Sequence, residues 1–278
     1  MIQLPIIGAF LEATGMILEK KILRKRKLDY RNYTAYEFFA IFIVMLPFAY
    51  LFWNIKEEAL SFVNIILFLF VILISAAANL LIFYSLKREK VTEFEPIWLM
   101  QPLFTIVLAF ILYKTERNWF LILIALIASV SLVLAHVKKH HLVYDKYIIA
   151  ALLGSFLFAL ELVLSKMLLP YYNPFAFYFV RCTFIFLIAY FMFRPSGKDI
   201  DKNSALIILL IGAMWAIYRA IIYYGYQNLG IVFTTILFLL SPVLTVIFAI
   251  VFLKEKITIR QIVSMAVILA CIILSIYV

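Results

Sequence analysis

The sequence predicts an all-α membrane protein of ten transmembrane helices arranged as two inverted five-helix repeats. Three observations predict it. Of 278 residues, 67% are hydrophobic and only 14% charged, more apolar surface than a water-soluble core of this size can hide. The apolar residues fall in ten continuous runs of membrane-spanning length, separated by short charged loops. One run also occurs twice, since WLMQPLFTIVLAFILYKTE at 98–116 recurs as FLLSPVLTVIFAIVFLKE at 238–255. Trp98 then falls on Phe238, Gln101 on Ser241, Pro102 on Pro242, Thr105 on Thr245, Ala109 on Ala249 and Lys114 on Lys254; one residue of slip brings Glu116 onto Glu255. Duplication of this kind is common in membrane carriers.

The expected spans run 2–18, 34–53, 62–86, 94–113, 118–137, 147–169, 174–193, 203–227, 232–253 and 259–278. Each is long enough for a helix to cross the hydrocarbon, whereas a barrel would show short alternating segments. The first, with no small-residue cleavage site behind it, reads as a retained span. It puts Glu12 on one face with Gly8 and Gly15, where small residues let a neighbour approach. The second carries Glu37 near one end and the third carries Asn79. Pro102 and Pro242 interrupt the fourth and ninth, each freeing a backbone carbonyl. His136 ends the fifth and, with His140 and His141, is expected at the interface. Glu161, Arg181 and Arg219 mark the sixth, seventh and eighth. Cys182 and Cys271 lie inside apolar runs and imply no disulfide framework.

Ten spans divide as five and five around the basic segment 138–146, giving a first repeat at 1–140 and a second at 141–278. The first span of each half matches as well: Gly8 falls on Gly154, Phe10 on Phe156, Ala13 on Ala159 and Lys20 on Lys166. Five is odd, so the second copy enters the membrane from the opposite side.

The net charge of +10 reflects topology and does not point to nucleic acid. Let side A be the side of the N-terminus. Nineteen of the 25 Lys and Arg residues then fall in side-B loops, four on side A, and two, Arg181 and Arg219, inside spans. That bias predicts a cytoplasmic side B, with both termini outside. The cluster KKILRKRK at 20–27 is a stop-transfer anchor that can also meet anionic lipid.

Ionisable groups deep in a membrane cost at least ~2.5 kcal/mol each on insertion scales and are rarely idle. Glu12, Glu161, Arg181 and Arg219 are therefore candidate substrate contacts; Glu161 paired with either arginine serves equally well as internal glue. Two acids against two guanidiniums suit a zwitterion such as an amino acid. Glu37, closer to an end, is able to snorkel and so is a weaker candidate. Asn79 is the repeat mate of Arg219. Trp98, Gln101 and Thr105 share a face of the proline span, either as a cavity wall that flexes at its proline or as helix packing. Trp215, Tyr218 and Tyr223 can stack on a ligand or hold a cation over a ring. No HExxH, no GxSxG and no phosphate-cradling glycine loop is present, so neither an enzyme nor a bound cofactor or metal is expected.

The paired proline spans, the endings YKTE and LKEK, the Lys20 and Lys166 closures, and NPFAFYFVRCTF at 173–184 resemble the EamA-type members of the drug/metabolite transporter superfamily across nearly the whole chain. Arg181 falls where that family often has an arginine; Glu37 departs from the pattern by standing where the second half has Arg181. The resemblance implies a carrier working by alternating access, usually exporting small metabolites, with a central cavity between the halves. It also implies cytoplasmic termini, against the charge count. The segment FLEATGMILEKK is similar to the first helix of the small multidrug resistance transporters, through Glu12 and Lys20. On that likeness Glu12 is the expected proton-coupling carboxylate, releasing its proton as cationic or zwitterionic cargo arrives. Glu12 aligns with Phe158, so the second half does not repeat it. The expected partners are a small-molecule substrate and membrane lipid of the plasma membrane, with a homodimer left open; the alternative function is a non-transporting or lipid-handling membrane subunit.

Overall fold

The computed structural model describes every residue except 1–2, 26–27, 90–93, 95–96, 137–144, 198–199, 245–246, 248–257 and 278. The expectations for His140, His141, Thr245, Ala249, Lys254 and Glu255 fall outside the described residues. Among those described, the chain forms ten α-helices and no named strand. They are α1 (Gln3–Leu23), α2 (Tyr30–Phe52), α3 (Phe62–Arg88), α4 (Met100–Leu112), α5 (Trp119–His136), α6 (Lys146–Leu168), α7 (Pro174–Phe193), α8 (Lys202–Asn228), α9 (Ile231–Phe238) and α10 (Ile259–Ile276). Six of them, α2, α3, α6, α7, α8 and α10, are long and apolar enough to cross a membrane. Their outer faces stay apolar: Leu51, Phe70, Ile149, Phe191 and Ile273 are all exposed, as side chains facing lipid are.

Short polar residues set the helix starts. Asp29 accepts the Arg31 amide at 2.8 Å, and Asp145 accepts those of Tyr147 and Ile148 at 2.9 Å. Asp201 caps α8 through the Ser204 amide and pairs with Lys25 at 3.1 Å. The Ser204 hydroxyl and the Lys25 ammonium hold the Asp201 carboxyl down at about 2. These three aspartates sit on side B because the even-numbered helices α2, α6 and α8 start there and need caps. On side A, Asn173 caps α7 with Pro174 in the first turn.

The two proline spans are not continuous helices. Each turns at a repeat-equivalent residue, Leu99 and Leu239, whose ψ is −7° in both. Those residues lie three before Pro102 and Pro242, where the missing proline N–H and the crowding of its ring against the preceding turn loosen the helix. The Leu239 amide is shared between the carbonyls of Thr235, at 3.2 Å, and Ile236, at 3.1 Å. So the expected 94–113 span is a segment hinged ahead of its proline.

The halves pack as an inverted pair. α2 lies on α7 and α5 on α10, while α1 on α8 is mirrored by α6 on α3. The matched glycines mark close approaches. A Cβ on Gly154 would come within 2.9 Å of Ile82, and one on Gly8 within 2.5 Å of the Phe238 ring. The α3–α6 contact is the more extensive of the two mirrored interfaces, and the larger cavity described below opens alongside the other.

Side A is sealed between the halves. The Lys56 amide bonds the Tyr171 carbonyl at 2.9 Å and the Asn173 amide bonds the Asn54 carbonyl at 2.8 Å, an isolated antiparallel bridge between Ile55 and Tyr172. Beside it, Glu116 of the YKTE ending accepts the first amides of α9, from Ile231 at 2.8 Å and Val232 at 3.0 Å, and ion-pairs with Lys166. Gly230 enters that turn with φ of 91°, and a Cβ there would meet Glu116 Oε1 at 3.0 Å. Gly230→Ala should therefore cost about 1–3 kcal/mol in backbone strain, read as a lower unfolding midpoint in detergent; an unchanged midpoint would refute that strain.

Candidate functional site

The polar interior begins at Glu161, which α6 holds with no exposure at all. Its Oε1 accepts from Ser165, one turn on, at 2.9 Å, from the Tyr223 hydroxyl of α8 at 2.8 Å, and from Arg181 Nη1 of α7. Arg181 also donates to the Tyr223 hydroxyl. Its guanidinium lies over the rings of Tyr178 and Tyr223, at 4.9 and 5.5 Å. Arg219 Nη1 stands 3.8 Å from Glu161 Oε2, beyond hydrogen-bond length, and its guanidinium lies 5.1 Å from the Phe158 ring centre. One carboxylate thus anchors two arginines that ring faces also steady.

Those arginines form one wall of a narrow central chamber of about 40 Å³. Facing them are Glu19 of α1, Glu37 of α2 and Asn79 of α3, with Phe38, Phe83, Trp98, Phe158 and Trp215 completing the lining. The Trp215 indole donates to Glu19 Oε1 at 2.6 Å, and Asn79 donates back to the Ser75 carbonyl at 2.7 Å. A second, larger cavity of about 580 Å³ adjoins it and shares Met16, Leu86, Phe94 and Trp98 with it. Glu12, Gln101, Tyr218 and Ser241 line its inner part, and Lys20, Lys21 and Arg24 its side-B end. The Glu12 carboxyl is hydrogen-bonded to Tyr218 and Ser241.

The residues expected from the sequence therefore divide into three groups. Asn79, Trp98, Arg181, Trp215 and Arg219 face the chamber, and Glu12 and Gln101 face the larger cavity, with Trp98 common to both. Glu161 and Tyr223 lie behind the chamber wall and reach it only through the arginines. Thr105 is buried and bonds the Gln101 carbonyl of its own helix at 2.9 Å, so that face of the proline span is only partly a wall. Glu37 does not snorkel. It is 3% exposed and points inward, because the α2 turn carrying it packs on α8, where Gly212 lets the Ile41 backbone approach. Glu19 was not singled out by its sequence. The signal was its spacing, seven residues after Glu12 and so on the same helical face. With Glu19 and Glu37 added, the balance of two acids against two guanidiniums becomes four against two.

The sequence pattern of the EamA-like transporter family matches residues 1–136 and again residues 145–277. No curated protein matches the chain in sequence. Among solved structures, one described only as the crystal structure of a protein aligns with a TM-score of 0.72 at 14% identity, covering 97% of this chain and 94% of that one. At that identity the likeness shows the fold alone.

Proposed function

This chain belongs to the EamA-like transporter family, and from that premise we propose that it is a secondary active carrier. It exports small cationic or zwitterionic metabolites by alternating access and couples their movement to protons through Glu12. The observation that carries this reading is the cavity of about 580 Å³ joining the basic side-B rim to the buried Glu12 carboxyl. On the opposite side the backbone bridge and the Glu116 cap close the path. A passage open at one end, with an ionisable group at its inner end, is what a carrier needs in one of its two states. The carboxyl groups of Glu12, Glu19 and Glu37 that line the two cavities favour amines and amino acids over anions.

The test begins with thermal melts of the purified protein against a panel of amines, amino acids and cationic drugs, since a ligand of the folded state raises the midpoint. Each ligand found is then loaded into liposomes carrying the protein under an imposed pH gradient. Movement that accelerates with the gradient is expected; a panel that shifts no melt and moves nothing would overturn the reading.

Side B is placed in the cytoplasm of a plasma-membrane protein, and the two halves act as repeats 1–140 and 141–278. Single cysteines at positions 57 and 24, in a background with Cys182 and Cys271 replaced, give the topological check. An impermeant maleimide outside the cell should label 57 and spare 24, and the reverse pattern would invert the assignment.

A further inference from the structure

Glu19 and Glu37 both line the central chamber, with their carboxyl groups within hydrogen-bonding reach of one another. An ionised carboxylate only accepts hydrogen bonds, so a bond between two carboxyl groups means that one of them carries a proton. The surroundings do not complete the set. Trp215 donates to Glu19 Oε1, but Glu37 Oε2 has no hydrogen-bond partner although Glu37 is 3% exposed and lines the chamber. The other titratable or charged groups facing the pair are Tyr33 of α2, Arg219 of α8, and Tyr178 and Arg181 of α7; α3 contributes only neutral Asn79. Lys20 is turned away, donating to the carbonyls of Leu86 and Glu89 at the end of α3.

Charge balance points the same way. Glu12, Glu19, Glu37 and Glu161 stand against Arg181, Arg219 and the buried Lys20 ammonium, so a neutral interior holds one proton among four acids. Glu161 is ion-paired with Arg181 and Arg219, which leaves the carboxyl pair, where two acids meet, as a place to hold that proton. A chamber of about 40 Å³ holds about three waters, room for an ammonium headgroup and little else. Phe38, Phe83, Trp98 and Trp215 give it the aromatic walls that suit a cation.

We propose that Glu19 and Glu37 are a second exchange site, a carboxyl pair that holds one proton when empty and gives it up in exchange for the primary ammonium group of the cargo. The proposal rests on the carrier reading above and assigns the amine end of the cargo to the chamber, leaving its body in the larger cavity. The exchange balances: one positive charge enters, the shared proton leaves through the larger cavity to side-B water, and no covalent bond other than O–H is broken.

The probe is methylammonium, added to the full chain in detergent in weak buffer near neutral pH. Calorimetry reads affinity and an indicator dye reads protons. Wild type should release about one proton per cation bound. Glu37→Gln, whose amide can satisfy Glu19 without any shared proton, should release none and bind at least tenfold more weakly; Glu19→Gln should behave alike, and melting curves confirm that each variant is folded. Folded wild type that fails to bind methylammonium, or variants that bind and release protons as wild type does, would overturn the pair. These readouts need no membrane, so failure of the pair shows as missing proton release in detergent, whereas failure of the carrier reading shows as missing movement in liposomes.

Discussion

Glu161→Ala should remove about 3–5 kcal/mol of folding stability, because it leaves the Arg181 guanidinium buried without its carboxylate. Arg181 is 2% exposed, so water cannot take over the role of Glu161; the Tyr223 hydroxyl loses its acceptor and Arg219 its nearby counter-charge. The cost arises from stranding a charge and does not measure the strength of the pair. Hence a double variant, Glu161→Leu with Arg181→Met, should recover most of the loss, since apolar replacement of a buried pair is often neutral or better. Reversible unfolding in mixed micelles measures both. Equal losses in the single and double variants would mean that the two residues are not coupled. Transport separates the roles: if the double variant carries substrate at the wild-type rate, the network is scaffolding only.

Glu12→Gln should reduce pH-gradient-driven transport to the leak of empty liposomes. Glutamine keeps the shape of the side chain and can bond both Tyr218 and Ser241, but it has no proton to release. Exchange of substrate for substrate, which needs no net proton movement, should survive, as should the melting-point shift on ligand binding. The cavity geometry makes this separation meaningful, since Glu12 lies on the wall of the path from Lys20 and Arg24 inward, apart from the Glu161 network. Undiminished gradient-driven uptake in this variant would remove Glu12 as a coupling group and leave the chamber pair as the remaining candidate.

Much of this architecture was legible because the constraints are local. Apolar runs, caps and a duplicated segment lie within single stretches of chain, and the match of Gly8 with Gly154 foretold two close helix contacts. Trp98, Asn79, Arg181 and Arg219 were legible by a different route, since polar groups in lipid must face inward. What stayed hidden depended on distant partners. Glu19 near the end of a charged helix looks like part of the basic anchor until Trp215, 196 positions later, is seen to bond it. Glu37 looked able to reach the interface because depth along a helix says nothing about what covers its face. The break at Leu99 and Leu239 was visible only in its cause, the prolines, since how far a helix loosens ahead of a proline depends on its neighbours.

The Glu116 cap on α9 has an energetic consequence. It is a bolt between the halves: a first-half carboxylate binds the opening amides of α9 and the ammonium of Lys166 on α6, both in the second half. Where an inverted pair carries a matching bolt on its other face, exchanging the conformations of the two halves trades one fastening for its twin. The resting ratio of the two openings then depends on the difference between two similar fastenings, and each 1.4 kcal/mol of that difference is a tenfold bias. Cargo has to supply only the difference to tip the molecule over, and a protein can bury strong fastenings at both gates without becoming slow to turn.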